Sequence, residues 1–306
     1  MTAAIEVRDL TKRYDELLAV DGVTFRVERG ECYGILGPNG AGKTTTLEMV
    51  EGLRRPDGGT VEVLGTSPWP RNTALLRRIG VQLQGSAFIE HLSAIEQLRT
   101  VTDLYGVPRG RAEEVLDQVG LADAADQDID DLSGGQRQRL SIACALVHRP
   151  EVLFLDEPSA GLDPTARRNL WDVLTSVRAD DTTVVLTTHY MEEAEVLCDR
   201  VAIMERGRIL ADDTPAGLVR QLDAPTRLLL PPMALSADRA ADIAGVESTD
   251  HDTGALTLVT RRPAEVLAEL ARMDALDGLQ VRSGTLEDVF VALTGRPLTD
   301  RTEAER

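Results

Sequence analysis

The stretch Gly37-Pro38-Asn39-Gly40-Ala41-Gly42-Lys43-Thr44 constrains this chain more than any other. It fits the pattern G-x-x-x-x-G-K-[ST], a phosphate-binding loop (Walker A) when a strand leads into it and a helix leads out. Both flanks agree. Cys32-Tyr33-Gly34-Ile35-Leu36 is a short apolar run that reads as a buried strand, and Thr44 to Glu51 reads as a helix. A phosphate chain needs backbone N–H groups aimed at it from close range, and glycine permits that approach. Gly37, Gly40 and Gly42 supply it, and the following helix turns the positive end of its dipole to the anion. Lys43 brings a charge to the terminal phosphates, and the Thr44 hydroxyl, followed by Thr45, suits the shell of a Mg²⁺ ion.

The 306 residues are enough for a large core and more than one domain. No stretch approaches the roughly 20 apolar residues of a membrane-spanning helix, and Met1 to Glu6 lacks the features of a secretion signal. Cys32, Cys144 and Cys198 are scattered through apolar segments and read as small core residues in a reducing, cytoplasmic setting. The net charge of −18 is spread along the chain: residues 1–222 hold 36 acidic and 24 basic side chains, the remainder 15 and 9. No basic run marks a nucleic-acid or anionic-lipid surface, so no nucleic-acid partner is expected. Lys12 and Lys43 are the only lysines, which makes a lysine inside the glycine-rich loop harder to ascribe to chance.

Taken in order, Ile5 to Leu10 and Val20 to Val27 alternate as paired strands, with Tyr14 between them. Strands are expected at Thr60–Leu64 and Ile79–Leu83, then three helical stretches, at Ser93–Tyr105, Arg109–Val119 and from Ser133. Strand and helix then alternate: Val152–Leu155, Thr165–Arg178, Thr183–Leu186, Met191–Cys198, Val201–Met204 and Arg208–Ala211. That alternation predicts an α/β domain with a largely parallel sheet, ligands at the strands' carboxyl ends, and a helical insertion over about residues 86–147. Asp223-Ala224-Pro225 marks a boundary, giving a domain over 1–222 and a second over 223–299. The second reads β-α-β-β-α-β plus a last helix, a small α+β domain of ferredoxin-like order. Residues 300–306 read as a disordered polar tail.

Two further segments carry chemistry. Val152-Leu153-Phe154-Leu155 runs into Asp156-Glu157, a Walker B pattern in which neighbouring side chains diverge and take different jobs. Asp156 would hold Mg²⁺, directly or through water, and Glu157 would polarise the attacking water. In Leu132-Ser133-Gly134-Gly135-Gln136, Ser133 can cap a helix while Gly134 and Gly135 form a second anion-binding nest. This segment, between Walker A and Walker B and continued by Arg137-Gln138-Arg139-Leu140, resembles the signature motif of the ATP-binding cassette ATPases.

The resemblance covers about Ile5 to Gln221 and implies a P-loop NTPase with a RecA-like core, an antiparallel β subdomain and an inserted helical subdomain. It implies further roles. Tyr14 matches the aromatic that stacks on adenine. Gln84 matches the glutamine that senses Mg²⁺ and water and links the site to a membrane partner; it is taken over Gln82 because it follows the strand. Ser159-Ala160-Gly161-Leu162-Asp163 is similar to the D-loop, and His189 matches the switch histidine at the γ-phosphate. His91, His148 and His251 receive no role. By this likeness ATP and Mg²⁺ are the ligands, and each ATP lies between Walker A of one cassette and Ser133, Gly135 and their neighbours of another. The cassette would pair with a second copy or a related chain and drive separate transmembrane permease subunits from the inner face of the membrane. Gly284 to Gly295 resembles the close of single-cassette bacterial export ATPases, the daunorubicin-resistance type among them, although an amphipathic helix with a glycine cap explains the same residues. An exporter of drugs or other hydrophobic compounds is therefore expected. The alternatives are an importer ATPase, a soluble cassette ATPase acting on DNA or ribosomes, and a non-catalytic scaffold, whose mark would be loss of Glu157 or His189.

Overall fold

A computed structural model describes residues 3–82, 88–178, 181–222, 225–231, 235–252, 255–282 and 284–298. The expected disordered tail at 300–306 lies outside them. The described chain falls into two compact units, dividing at Pro215/Ala216, one helix before the composition break at 223–225.

The first unit opens with β1 (Ala3–Tyr14) and β2 (Leu17–Glu28), an antiparallel pair, and β4 (Gly58–Val63) joins β1 on its other side. Between them come β3 (Cys32–Leu36) and α1 (Lys43–Val50), the strand and helix that flank the glycine-rich loop. A short helix that the sequence pattern does not signal, α2 (Thr73–Leu76), is capped by Asn72 and precedes β5 (Ile79–Gln82). The insertion follows as α3 (Ala94–Tyr105), α4 (Gly110–Gln118) and α5 (Gly134–Leu146). Then come β6 (Val152–Asp156), α6 (Pro164–Arg178), β7 (Thr183–Thr188), α7 (Met191–Leu197), β8 (Arg200–Glu205) and β9 (Arg208–Asp213).

The main sheet has the order β5-β6-β7-β3-β8-β9, parallel except for β9. Every residue of β3, β6 and β7 is buried, which explains why these strands read as continuous apolar runs rather than alternating ones. β1 and β2 alternate instead, their inner positions Ile5, Val7, Val23 and Val27 lying in one core with Phe25 stacked on Tyr33 at 5.2 Å. Because β3, β6 and β7 are adjacent and parallel, the loops after them emerge at one edge of the sheet.

The second unit starts with α8 (Pro215–Gln221), which the sequence reading leaves out, and continues β10 (Thr226–Leu230), α9 (Ala237–Ala241), β11 (Ser248–Asp252), β12 (Ala255–Thr260), α10 (Pro263–Arg272), β13 (Gln280–Arg282) and α11 (Leu286–Thr294). Its antiparallel sheet is ordered β11-β12-β10-β13, the β-α-β-β-α-β arrangement expected. Leu228, Leu230, Leu256, Leu258, Val266 and Leu270 form its core. Among the described residues no helix is long and apolar enough to cross a membrane.

The cysteines need one correction. Cys32 and Cys198, far apart in sequence, meet at the base of the sheet: the Cys32 thiol and burial together push the Cys198 thiol well up. Cys144 is only partly buried, and all three are free.

Candidate active site at the carboxyl edge of the sheet

The loop after β3 is shaped by glycine at two positions. Gly42 has φ +102°, and a Cβ there would sit 2.4 Å from the Ala19 carbonyl oxygen; one at Gly37 would sit 2.2 Å from that of Met204. Backbone–backbone bonds hold the loop between these walls, with Gly37 N donating to Thr188 O (3.2 Å) and Gly207 N to Ala41 O (2.8 Å). Gly42 is also the residue from which α1 starts, so the free N–H groups of the first turn face the loop's concave side. That cradle fits a phosphate chain.

Lys43 is only 4% exposed. Its ammonium donates to the Gly37 carbonyl (2.8 Å) and the Pro38 carbonyl (3.2 Å) and pairs with Glu157 Oε1 at 3.1 Å. The other Glu157 oxygen accepts from His189 Nδ1 at 3.2 Å. The hydrogen bond from His189 foremost, and the Lys43 ammonium with it, outweigh burial and hold the Glu157 carboxyl down at about 2. Glu157 also has φ +48°, unusual for a residue with a side chain, and its N–H bonds to Thr187 O (3.1 Å). This left-handed turn swings Glu157 away from the line of β6 and toward Lys43 and His189, a strain of a kind that clusters at functional sites.

Asp156 faces the other way. Its Oδ1 accepts from the Thr187 hydroxyl and from the Thr44 hydroxyl at 3.2 Å. Burial raises its pKa, against the pull of those two hydroxyls. Thr44 and Asp156 thus present two hard oxygen ligands side by side next to the phosphate cradle. This suits Mg²⁺, which takes one or two protein oxygens and completes its shell with phosphates and water.

The structure therefore gathers Lys43, Thr44, Asp156, Glu157 and His189 into one bonded cluster. Other expected residues stand apart from it. Ser133 and Gln136 form a reciprocal capping box, Gln136 N donating to Ser133 Oγ (3.2 Å) and Ser133 N to Gln136 Oε1 (2.8 Å), with Ser133 and Gly134 exposed. Asp163 caps α6 through Thr165 N (2.9 Å) and Ala166 N (3.0 Å). Tyr14, 37% exposed at the β1–β2 turn, carries Arg54 at 5.3 Å and Lys12 at 5.7 Å over its ring. Gln84 lies outside the described residues, and Gln82 is buried at the end of β5. His148 is a half-buried histidine with a structural place, stacked on Tyr105 at 4.0 Å and bonded through Nε2 to Ile79 O (2.8 Å).

One titratable group near the cluster escapes the sequence reading. Glu51, at the end of α1 and seven residues beyond Thr44, is 1% exposed, and its Oε1 has no hydrogen-bond partner. Burial, then the charges of Asp156 and Glu48, push its carboxyl up from 4.5 to about 8. A buried acid with a raised pKa weakens the fold as pH rises from its unfolded value to its folded one, because the unfolded chain has already lost the proton. Glu51→Gln removes that cost. We expect it to stabilise the chain by up to about 3 kcal/mol at pH 7. The gap between the two proteins in chemical denaturation should vanish below about pH 4.5, widen up to about pH 8, and then level off.

Comparison with known proteins agrees with this geometry. The family model described as ABC transporter matches residues 20–160. The daunorubicin/doxorubicin resistance ATP-binding protein of Streptomyces peucetius is 40% identical, over 99% of this chain and 96% of its own length. A Nod factor export ATP-binding protein of Burkholderia orbicola is 38% identical over 97% of this chain and 99% of its own. Among solved structures, a dimeric ATP-binding cassette in a post-hydrolysis state, bound to ADP and Pi, superposes with a TM-score of 0.62 at 27% identity, covering 69% of this chain and 98% of its own. The chain belongs to the ABC transporter family, and its first unit is that family's ATPase cassette.

Proposed function

We propose that this protein is the ATP-hydrolysing subunit of an exporter of drug-like or other hydrophobic compounds, working at the inner face of the cell membrane on separate transmembrane subunits. The observation that carries the hydrolytic part is the Lys43–Glu157–His189 chain beside the Thr44–Asp156 pair. The export assignment draws support from relatives named for drug resistance and Nod factor export that run the whole length of this chain, second unit included.

The chemistry follows from charge. The Walker loop, residues Gly37 to Thr44 with Thr45, surrounds the phosphates with N–H groups, and the half-exposed Tyr14 ring stacks on adenine. Lys43 exchanges its Glu157 partner for the β- and γ-phosphates. Glu157, released from the Lys43 ammonium that helps hold its pKa near 2, becomes basic enough to orient and deprotonate the attacking water. His189 turns to the γ-phosphate and stabilises the charge that develops there. Thr44 and Asp156 would hold Mg²⁺, which would neutralise charge on the phosphates, and Gln84 would be the residue that senses the ion. Ser133, Gly134, Gly135 and Gln136 close over the nucleotide of a second copy, and Asp163 borders the same junction. Exposure of Ser133 and Gly134 in a single chain fits that use.

The test is to tag the chain, fractionate cells and identify its tightly held companion. A multi-spanning membrane protein is expected, with the chain released from membranes when that protein is deleted. Ribosomes or DNA would overturn the transport assignment.

A further inference from the structure

The hydrolytic cluster and the signature segment, at opposite ends of one chain's work, are joined by a continuous path of packed side chains. It begins at Gly135, where a Cβ would lie 3.0 Å from the Cβ of Ala166 and 4.0 Å from Cδ2 of Leu162. Ala166 lies in the first turn of α6, and Leu162 in the loop just before it. Five residues beyond Ala166, Trp171 meets α7, and Arg167, next to Ala166, meets Tyr190 just before α7. The Trp171 indole N–H donates to Glu193 Oε1 at 3.2 Å, in a contact where Trp171 is 6% and Glu193 0% exposed. Arg167 lies over the Tyr190 ring at 4.1 Å, and that ring packs on His189 at 4.0 Å. His189 then reaches Glu157.

Glu193 is the unusual member. A carboxyl with no exposure is costly where an apolar side chain would pack as well, and its Oε2 has no hydrogen-bond partner. Burial raises its pKa, and Thr188, Ser159, Trp171 and Arg167 close by offset that only in part. Thr188 directly precedes His189, Ser159 lies two residues beyond Glu157, and α7 starts straight after the His189 loop. Glu193 is therefore placed among both loops that hold the hydrolytic groups, and its bond to Trp171 ties them to the helix that touches Gly135.

We propose that the Trp171–Glu193 bond is the joint through which closure of a second copy's nucleotide against Gly135 is felt at His189, making Trp171 and Glu193 positioning residues for hydrolysis. The proposal rests on the reading that two copies close on ATP. Spatial continuity alone does not establish coupling, so the test must read an energy that a purely structural contact would leave additive.

The full chain is compared with Trp171→Phe, Glu193→Gln, His189→Ala and the Trp171→Phe/His189→Ala double variant, in hydrolysis of Mg-ATP and in thermal unfolding. Couplings of this kind amount to roughly 5- to 150-fold. Trp171→Phe and Glu193→Gln should lower kcat about tenfold, leave KM within about twofold, and leave the folded fraction unchanged at the assay temperature. In the His189→Ala background, Trp171→Phe should have almost no further effect, because the path is already cut. The joint is overturned if Trp171→Phe costs the same factor with and without His189, if KM moves together with kcat, or if the lost activity equals the lost folded fraction. Wild-type activity per chain should also rise with protein concentration. A rate per chain that does not change with concentration instead refutes the paired-copy reading, and the joint falls with it.

Discussion

Glu157→Gln binds ATP as the wild type does, hydrolyses it about 10²–10⁴-fold more slowly, and accumulates as an ATP-dependent dimer visible by size-exclusion chromatography. The amide keeps the shape and the contact with His189 but cannot accept the proton of the attacking water. It also removes a negative charge beside Asp156 and the γ-phosphate, so the closed state persists. Hydrolysis at the wild-type rate would show that Glu157 is not the base. The same variant carries a pH signature. A carboxyl at about 2 in the fold, against an ordinary 4.5, favours the folded state at any pH above 4.5, and that contribution drains away as pH falls toward 2. The stability gap between wild type and Glu157→Gln should therefore close on acidification.

Lys43→Ala should abolish measurable ATP binding and hydrolysis, and it should also weaken the nucleotide-free protein. Lys43 and Glu157 form a buried pair, with side chains 4% and 9% exposed. Removing one partner leaves the other charge in a site with little water, a loss of about 3 kcal/mol at the low end for such pairs, since His189 remains. Two carbonyl oxygens, of Gly37 and Pro38, lose their donor as well. Lys43→Met/Glu157→Gln, which replaces both charges, should recover most of that stability and none of the activity. Denaturation of the three proteins at pH 7 checks this; a Lys43→Ala chain as stable as wild type would mean that the pair contributes nothing before nucleotide binds.

Local chemistry explains what the sequence makes legible. The phosphate loop, its strand and its helix are neighbours along the chain, so glycine spacing and an apolar run reveal them. Asp156-Glu157 is legible for the same reason. The β-α-β-β-α-β order of the second domain is legible too, because its strands and helices are short local patterns, and the structure returns that order. What escapes is created by folding. Nothing in the sequence says that Lys43 bonds to Glu157, or that Glu157 must take a positive φ to reach it. Glu51 is a charged residue at a helix end in sequence, a position normally solvated, and only the packing of α1 reveals it as a buried acid. Glu193 is hidden likewise within an ordinary acidic run, Glu192-Glu193, of which one member is buried and the other exposed. The short helices α2 and α8 lack the length for a periodic pattern to emerge. Ser133 illustrates the opposite case: its helix cap is legible and present, and Ser133 with Gly134 remains exposed.

The composite site is tested most directly by mixing two disabled chains. Lys43→Ala lacks a working phosphate loop but keeps its signature segment; Ser133→Arg keeps its loop but blocks the signature. Each alone should be inactive in Mg-ATP hydrolysis. Mixed in equal amounts, they can form a pair with one intact site, built from the loop of the Ser133→Arg chain and the signature of the Lys43→Ala chain. Hydrolysis reappearing on mixing, and rising with the concentration of either partner, is the predicted result. A mixture as inactive as its components, with both chains folded, would contradict the claim that two copies share each ATP.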